Sequence, residues 1–196
     1  MKEVSCVNKI KLGYAICGSF CTFYKTLKVM EECKELGYDI VPIMSHNAYT
    51  TDTRFGKASD FIWQIEDICG KKIIYDIKGA EPIGPTGMTD IMLVAPCTGN
   101  TLAKLANSIV DTSVTMAVKS HLRNNKPVVV AVSTNDALGG SGKNIASLMN
   151  MKNYYFVPMK QDSPIDKPTS IVADFSLIPD TLQKAVTKLQ IQPVFI

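Results

Sequence analysis

Histidine is scarce: the 196 residues contain only His46 and His121, far apart in the chain. Six cysteines are present, Cys6, Cys17, Cys21, Cys33, Cys69 and Cys97, but no pair has the C-x-x-C spacing. Those counts argue against a zinc centre, and no metal is expected. The thiols read as buried and free, as in a reducing compartment. Also missing is any Lys/Arg-dense patch interleaved with aromatics, and the net charge is only +3, so nucleic acid is not an expected partner. The longest apolar stretch near the start, within MKEVSCVNKIKLGYAIC, is too short and too interrupted for a signal peptide or a membrane span. A cytoplasmic protein with no membrane association is expected. There is no internal repeat, low-complexity segment or linker. One domain covering 1–196 is expected, its last stretch of roughly 25 residues forming a helix and tail.

What is present is an alternation. Apolar, strand-like runs fall at 10–17, 38–44, 72–75, 90–95, 127–133 and 153–159. Between them lie segments with helical apolar spacing at 19–36, 57–68, 101–110, 112–125, 142–150 and 180–190. Gly37 and Gly70 stand where helix C-termini need a left-handed residue. Segment 77–88, with three glycines and two prolines, reads as a surface loop, and 160–170 as a polar, proline-containing one. The run after Asp90 is wholly apolar, as strands buried on both faces are. The expectation is an α/β protein of three layers, α/β/α, around a doubly wound, six-stranded parallel sheet. Phe23, Trp63, Tyr154 and Tyr155 read as core residues, with interface anchoring as the alternative.

Ligands of such sheets bind outside the carboxyl ends of the strands. The loops there read Gly18-Ser19-Phe20, Ser45-His46-Asn47, Pro96-Cys97-Thr98-Gly99-Asn100-Thr101, Ser133-Thr134-Asn135-Asp136 and Lys160 onward. Hydroxyls, amides and glycines at helix starts suit an anion, phosphate above all, although Ser19, Thr98 and Ser133 could equally be helix caps. The dinucleotide G-x-G-x-x-G is missing from CGSFCTF, and GSGKN (140–144) lacks the P-loop Ser/Thr. A mononucleotide with one phosphate fits this set of loops better.

APCTGNTLAKLANSIVDTSVT (95–115) resembles the P-A-S-A-N-T region of the homo-oligomeric flavin-containing cysteine decarboxylases, keeping Pro96, Asn100, Thr101, Lys104, Ala106 and Asp111. GSFCTFYK (18–25) is similar to that family's first flavin loop, and Ser45 stands where it has a Ser or Thr near the flavin phosphate. The family's P-x-M-N-x-x-M-W motif appears as VSTNDALG (132–139), with only Asn135 kept, and no histidine falls within 53–75. Both departures weigh against cysteine-type decarboxylation. A closer resemblance, carried by TDTRFGKASDF, AEPIGPTG, APCTGNTLAKLAN, RNNKPVVVAVSTNDALG and QDSPIDKPTSIVAD, is to the flavoprotein-like subunits of a two-component synthase of sporulating bacteria.

That resemblance implies a Rossmann-like flavoprotein fold, FMN as cofactor and a trimer-based homo-oligomer. It also implies a second component that binds a nicotinamide nucleotide, so that NADP would enter through the partner. The implied location is the cytoplasm of the mother cell. The implied reaction is an oxidoreductase step turning a dihydropyridine dicarboxylate from the lysine pathway into the aromatic pyridine-2,6-dicarboxylate. A decarboxylase or flavin prenyltransferase-like enzyme, and a non-catalytic nucleotide-binding partner, are the alternatives.

On this basis Gly18, Ser19, Phe20, Ser45, Pro96, Thr98, Gly99, Asn100, Thr101, Ser133 and Asn135 are the expected cofactor-binding residues. Asn100 is expected to touch the reacting ring, and His46 is the candidate proton shuttle. Arg54, Lys160 and Lys167 are the candidates for the substrate carboxylates. Cys97 is read as a packing residue, because no base or cation stands beside it in the sequence.

Overall fold

The structure, a computed structural model, describes residues 9–196; Cys6 lies outside the described residues. The chain runs β1 (Lys11–Ile16), α1 (Phe23–Glu35), β2 (Asp39–Met44), α2 (His46–Thr50), α3 (Ala58–Cys69), α4 (Ile77–Ala80), β3 (Ile91–Cys97), α5 (Gly99–Ala106), α6 (Ser113–Leu122), β4 (Val128–Thr134), α7 (Gly142–Met149), β5 (Tyr154–Phe156), β6 (Met159–Ser163), β7 (Lys167–Ala173) and α8 (Ile178–Val186).

Five strands pair in parallel in the order β2-β1-β3-β4-β5. The winding reverses between β1 and β3, so their carboxyl ends flank the switch point. Period-two alternation assigns the side chains of β1 to the two faces. Leu12, Tyr14 and Ile16 join a cluster with Phe23, Leu27 and Met30 of α1, Phe61 and Ile65 of α3, and Ile178 and Leu182 of α8. Ala15 and Cys17 join the opposite cluster, with Leu102 and Leu105 of α5, Val114 and Val118 of α6, and Ile145 and Leu148 of α7. Covering both faces explains why β3 and most of β4 are buried and apolar without alternation. The three-layer, doubly wound α/β fold is therefore present.

The sheet departs from the expected one in two places. Segment 72–75 contributes a single parallel bridge, Ile43 to Ile74, at the edge of β2. The expected strand 153–159 is broken at Pro158, which has no N–H for a ladder. Only β5 runs parallel to β4; β6 then pairs antiparallel with β7, and β7 pairs antiparallel with Ser133 and Thr134 at the end of β4. The expected polar loop 160–170 is thus largely a β-hairpin. Its signal was the β-branched run Thr169, Ile171 and Val172 beyond the turn at Pro164–Asp166.

Segment 77–88 is not a bare surface loop either: α4 and a following 3-10 turn bury Ala80 and Ile83. Gly84 allows this packing, since a Cβ there would lie 1.9 Å from the Ser120 carbonyl oxygen. Gly37 and Gly70 do end helices at positive φ. Phe23 and Tyr155 are buried and Tyr154 half-buried, but Trp63 on α3 is 68% exposed and is not a core residue.

Candidate functional site

A cavity of about 710 Å³ opens at the carboxyl ends of β1, β3 and β4. Gly18, Ser19 and Phe20 line it after β1, Thr98 after β3, and Ser133, Thr134 and Asn135 at the end of β4. Ser19 Oγ and Ser133 Oγ meet at 2.9 Å, joining strands that flank β3. Ser19 and Thr98 occupy N-cap positions without making a capping side-chain hydrogen bond, and Ser133 belongs to β4 itself. Their hydroxyls are therefore not committed to caps. Ser45 is: it caps α2 by accepting from the Ala48 N–H at 3.3 Å, and it is not among the lining residues.

The hairpin extends the lining beside the end of β4. Pairing of β7 on β4 sets Ser170, Ile171 and Val172 along the cavity, and the hairpin end adds Asp162 and Lys167. Asp162 accepts from Lys167 Nζ at 2.8 Å. That carboxylate holds the Lys167 ammonium above its ordinary pKa.

Arg54 and Phe55 come from a tight turn in which Thr53 and Gly56 exchange backbone hydrogen bonds of 3.0 and 3.1 Å. Gly56 has φ of 145°, and a Cβ there would meet the Phe61 ring at 2.8 Å, so the turn needs glycine. The Arg54 guanidinium stands 4.9 Å from the centre of the Phe55 ring. Among the described residues it has no carboxylate partner. Lys25 of α1 also lines the cavity.

The structure brings eight of the expected residues together: Gly18, Ser19, Phe20, Thr98, Ser133, Asn135, Arg54 and Lys167. The others lie outside the lining. Pro96 is buried in β3 after a cis peptide bond. Thr101 is buried and donates to Cys17 Sγ at 3.2 Å. Gly99 packs on a polar cluster: a Cβ there would lie 2.6 Å from Ser141 Oγ and 2.8 Å from both Asp136 Oδ1 and Thr134 Oγ1. Asp136 accepts from Thr134 Oγ1 at 2.6 Å and Ser141 Oγ at 2.9 Å, and the Thr134 bond in particular holds its carboxyl below the usual range.

A carboxylate, Asp136, already lies against the first turn of α5, where the flavin ring or the substrate was expected. Asn100 is exposed in that same turn, and among the described residues its side chain makes no hydrogen bond. His46 is exposed at the start of α2. Lys160 is engaged at 3.9 Å by Asp174.

Cys97 is fully buried, and burial pushes its thiol well up, with Cys17 adding to the effect. Cys17 is pushed up to about 11 by the same cause, against the pull of its Thr101 hydrogen bond. Neither is an activated nucleophile. Cys21, by contrast, is exposed and lines the cavity, and Cys69 is half-buried, so the expectation of uniformly buried thiols fails at both. Lys25, Thr134, Asp162 and the β7 wall were not foreseen as site residues. Lys25 closes the GSFCTFYK block, whereas Asp162 reaches the site only through the hairpin pairing.

A doubly wound sheet with a hydroxyl-lined cavity at its switch point defines a mononucleotide-binding α/β protein. The chain belongs to the flavoprotein family, whose model matches residues 2–186. It is 42% identical over 186 residues to the B subunit of dipicolinate synthase from Bacillus subtilis (strain 168), covering 95% of this chain and 93% of that protein. The crystal structure of the dipicolinate synthase B subunit from Bacillus halodurans C superposes with a TM-score of 0.88 at 45% identity, over 95% of this chain and 96% of the other. The FMN-dependent cysteine decarboxylase SpaF shares the fold at a TM-score of 0.67 and 22% identity, over 90% and 97% of the two chains.

Proposed function

We propose that this chain is the flavin-binding component of a dipicolinate synthase. In this reading it acts with the A subunit of that synthase to oxidise dihydrodipicolinate to dipicolinate in the cytoplasm of a sporulating mother cell. The observation that carries the proposal is that neutral hydroxyls and cations line one and the same cavity. Ser19, Thr98, Ser133 and Thr134 supply neutral hydroxyls, while Lys25, Arg54 and Lys167 supply cations. Hydroxyls and exposed backbone suit the polar edge and ribityl phosphate of FMN, and cations suit a dicarboxylate. The overall likeness to the two Bacillus proteins, at 42% and 45% identity, supports the same assignment.

FMN, when bound, supplies a two-electron acceptor. The chain's own residues supply position. Ser19, Thr98 and Ser133 would hold the cofactor from the strand ends, and Asn100, outside the lining, is not required for that. Arg54 and Lys167 would orient the two substrate carboxylates. Ile171 and Val172 of the β7 wall exclude water from one side of that space. Aromatisation favours loss of hydride, and the proton leaves to solvent through the open mouth. His46, away from the cavity, is not required. NADP enters through the companion protein, and a trimer-based homo-oligomer is the proposed assembly.

The test is a visible spectrum followed by turnover. Protein purified as made, or reconstituted with FMN, should be yellow with a flavin band. Turnover of dihydrodipicolinate should require the companion protein together with this chain. A colourless protein that cannot be loaded with FMN would leave only a non-catalytic role beside that companion. A yellow protein that decarboxylates cysteine-terminated peptides would mark a decarboxylase.

A further inference from the structure

Charge in the cavity is not evenly committed. Among the described residues three cations, Lys25, Arg54 and Lys167, line it with a single carboxylate, Asp162. Two positive charges are therefore in excess, which matches a dianionic ligand. The lone carboxylate sits directly on one of the cations: Lys167 Nζ is 2.8 Å from Asp162 Oδ2, with side chains 58% and 41% exposed. Among the described residues Arg54 has no carboxylate partner, and its guanidinium stands by the neighbouring Phe55 ring. Lys25 acts on Asp174, whose carboxyl is held low first by hydrogen bonds from Ser176 and then by Lys160 and Lys25.

We propose that Asp162 is a specificity-determining residue that competes inside the protein with the second carboxylate of an aromatic dicarboxylate for Lys167. This rests on the proposed dicarboxylate reading of the site. A ligand's first carboxylate meets an unpaired guanidinium at Arg54. Its second must share or displace an acceptor already in place on Lys167. The strand pairing enforces that competition, because β6 and β7 pair Ser163 with Lys167 and so set Asp162, the preceding residue, within reach of the Lys167 ammonium. The hold on the dianion is thereby kept loose enough for an aromatic product, which has the same two carboxylates as its precursor, to leave. The pair is partly solvated, so its effect on a competing ligand is at most about fivefold.

The experiment uses the full chain, with and without FMN, and isothermal titration with pyridine-2,6-dicarboxylate and with pyridine-2-carboxylate. Asp162→Asn should tighten pyridine-2,6-dicarboxylate by about threefold and pyridine-2-carboxylate by less. The gain should vanish in Asp162→Asn/Lys167→Gln, the double-mutant signature of a direct coupling. Should Asp162→Asn fail to fold, Asp162→Ser removes the same charge and keeps a turn-forming hydroxyl. If removing the charge weakens dicarboxylate binding or leaves it unchanged, or if the gain survives loss of Lys167, Asp162 is not a competitor. If the unmodified protein binds neither pyridine acid while still taking up FMN, the dicarboxylate reading fails, and this inference fails with it.

Discussion

His121 provides a quantitative test of how the helix layer is locked under the sheet. It is 1% exposed. Its Nδ1 meets Thr89 Oγ1 at 2.8 Å and its Nε2 meets the Pro127 carbonyl oxygen at 3.0 Å. A carbonyl can only accept, so Nε2 carries the proton and donates to it, leaving Nδ1 as acceptor for the Thr89 hydroxyl. A second proton on the ring would enter a buried space beside Lys126. Burial, first, and Lys126 lower its pKa from 6.5 to about 4, against the opposing pull of the Pro127 carbonyl and Asp90.

The unfolded chain thus binds a proton below pH 6.5 that the folded chain refuses until about pH 4. Stability is fully present above the unfolded value and is lost as pH falls through that window. The displacement corresponds to about 3 kcal/mol, of which about 2 kcal/mol disappears between roughly pH 7 and pH 5. Glu66, Asp136 and Asp174 are held below ordinary values of 4.5, 3.8 and 3.8, chiefly by hydrogen bonds from Lys72, Thr134 and Ser176 respectively. Asp90 is also held below 3.8, by the Lys11 N–H and Lys126 acting against its burial. These carboxylates lose their contributions only below that window. Urea unfolding of the protein and of His121→Gln at pH 7 and pH 5 isolates the imidazole. The variant should be less stable at pH 7 but should lose about 2 kcal/mol less on acidification. Equal losses in the two proteins would refute this account of the buried ring.

Three other outcomes are expected. Gly99→Ala should cost about 1–3 kcal/mol, read as a thermal midpoint lowered by about 3–10 °C, because the new methyl enters the Thr134–Asp136–Ser141 cluster; an unchanged midpoint would show that the cluster yields freely. Arg54→Met should weaken pyridine-2,6-dicarboxylate at least about tenfold, whereas Lys160→Met, which removes a cation already engaged by Asp174, should change it by less than about twofold. Iodoacetamide applied to the native protein should label Cys21 before Cys17, Cys33 and Cys97, and FMN should slow that labelling; mass spectrometry showing Cys97 modified first would contradict its burial.

Local chemistry carried much of the architecture. Alternating apolar runs and helical periodicity, with Gly37 and Gly70 as stops, specify β/α units, because each element must bury one face or two. The loops after β1, β3 and β4 were legible as ligand-facing from Ser19, Thr98 and Ser133, since strand ends in such a sheet converge on the switch point. Which of those hydroxyls remain available was not legible: Ser45 and Ser19 look alike in sequence, yet only Ser45 caps a helix. Asn100 and Thr101 adjoin Thr98 in the chain, but a helix turns successive side chains in different directions, so one is exposed and the other points to Cys17.

The amino-acid order alone determined the layers, the apolar strands, the glycine stops and the scarcity of metal-ligating side chains, because each of these depends on spacing within about twenty residues. Only the tertiary structure decided that the segment after Pro158 folds back as a hairpin onto β4, and with it the placing of Asp162 and Lys167 in the same cavity as Ser19 and Ser133. That pairing joins residues more than thirty positions apart. Its stability comes from backbone hydrogen bonds and burial across the sheet, to which no local pattern in the chain is sensitive.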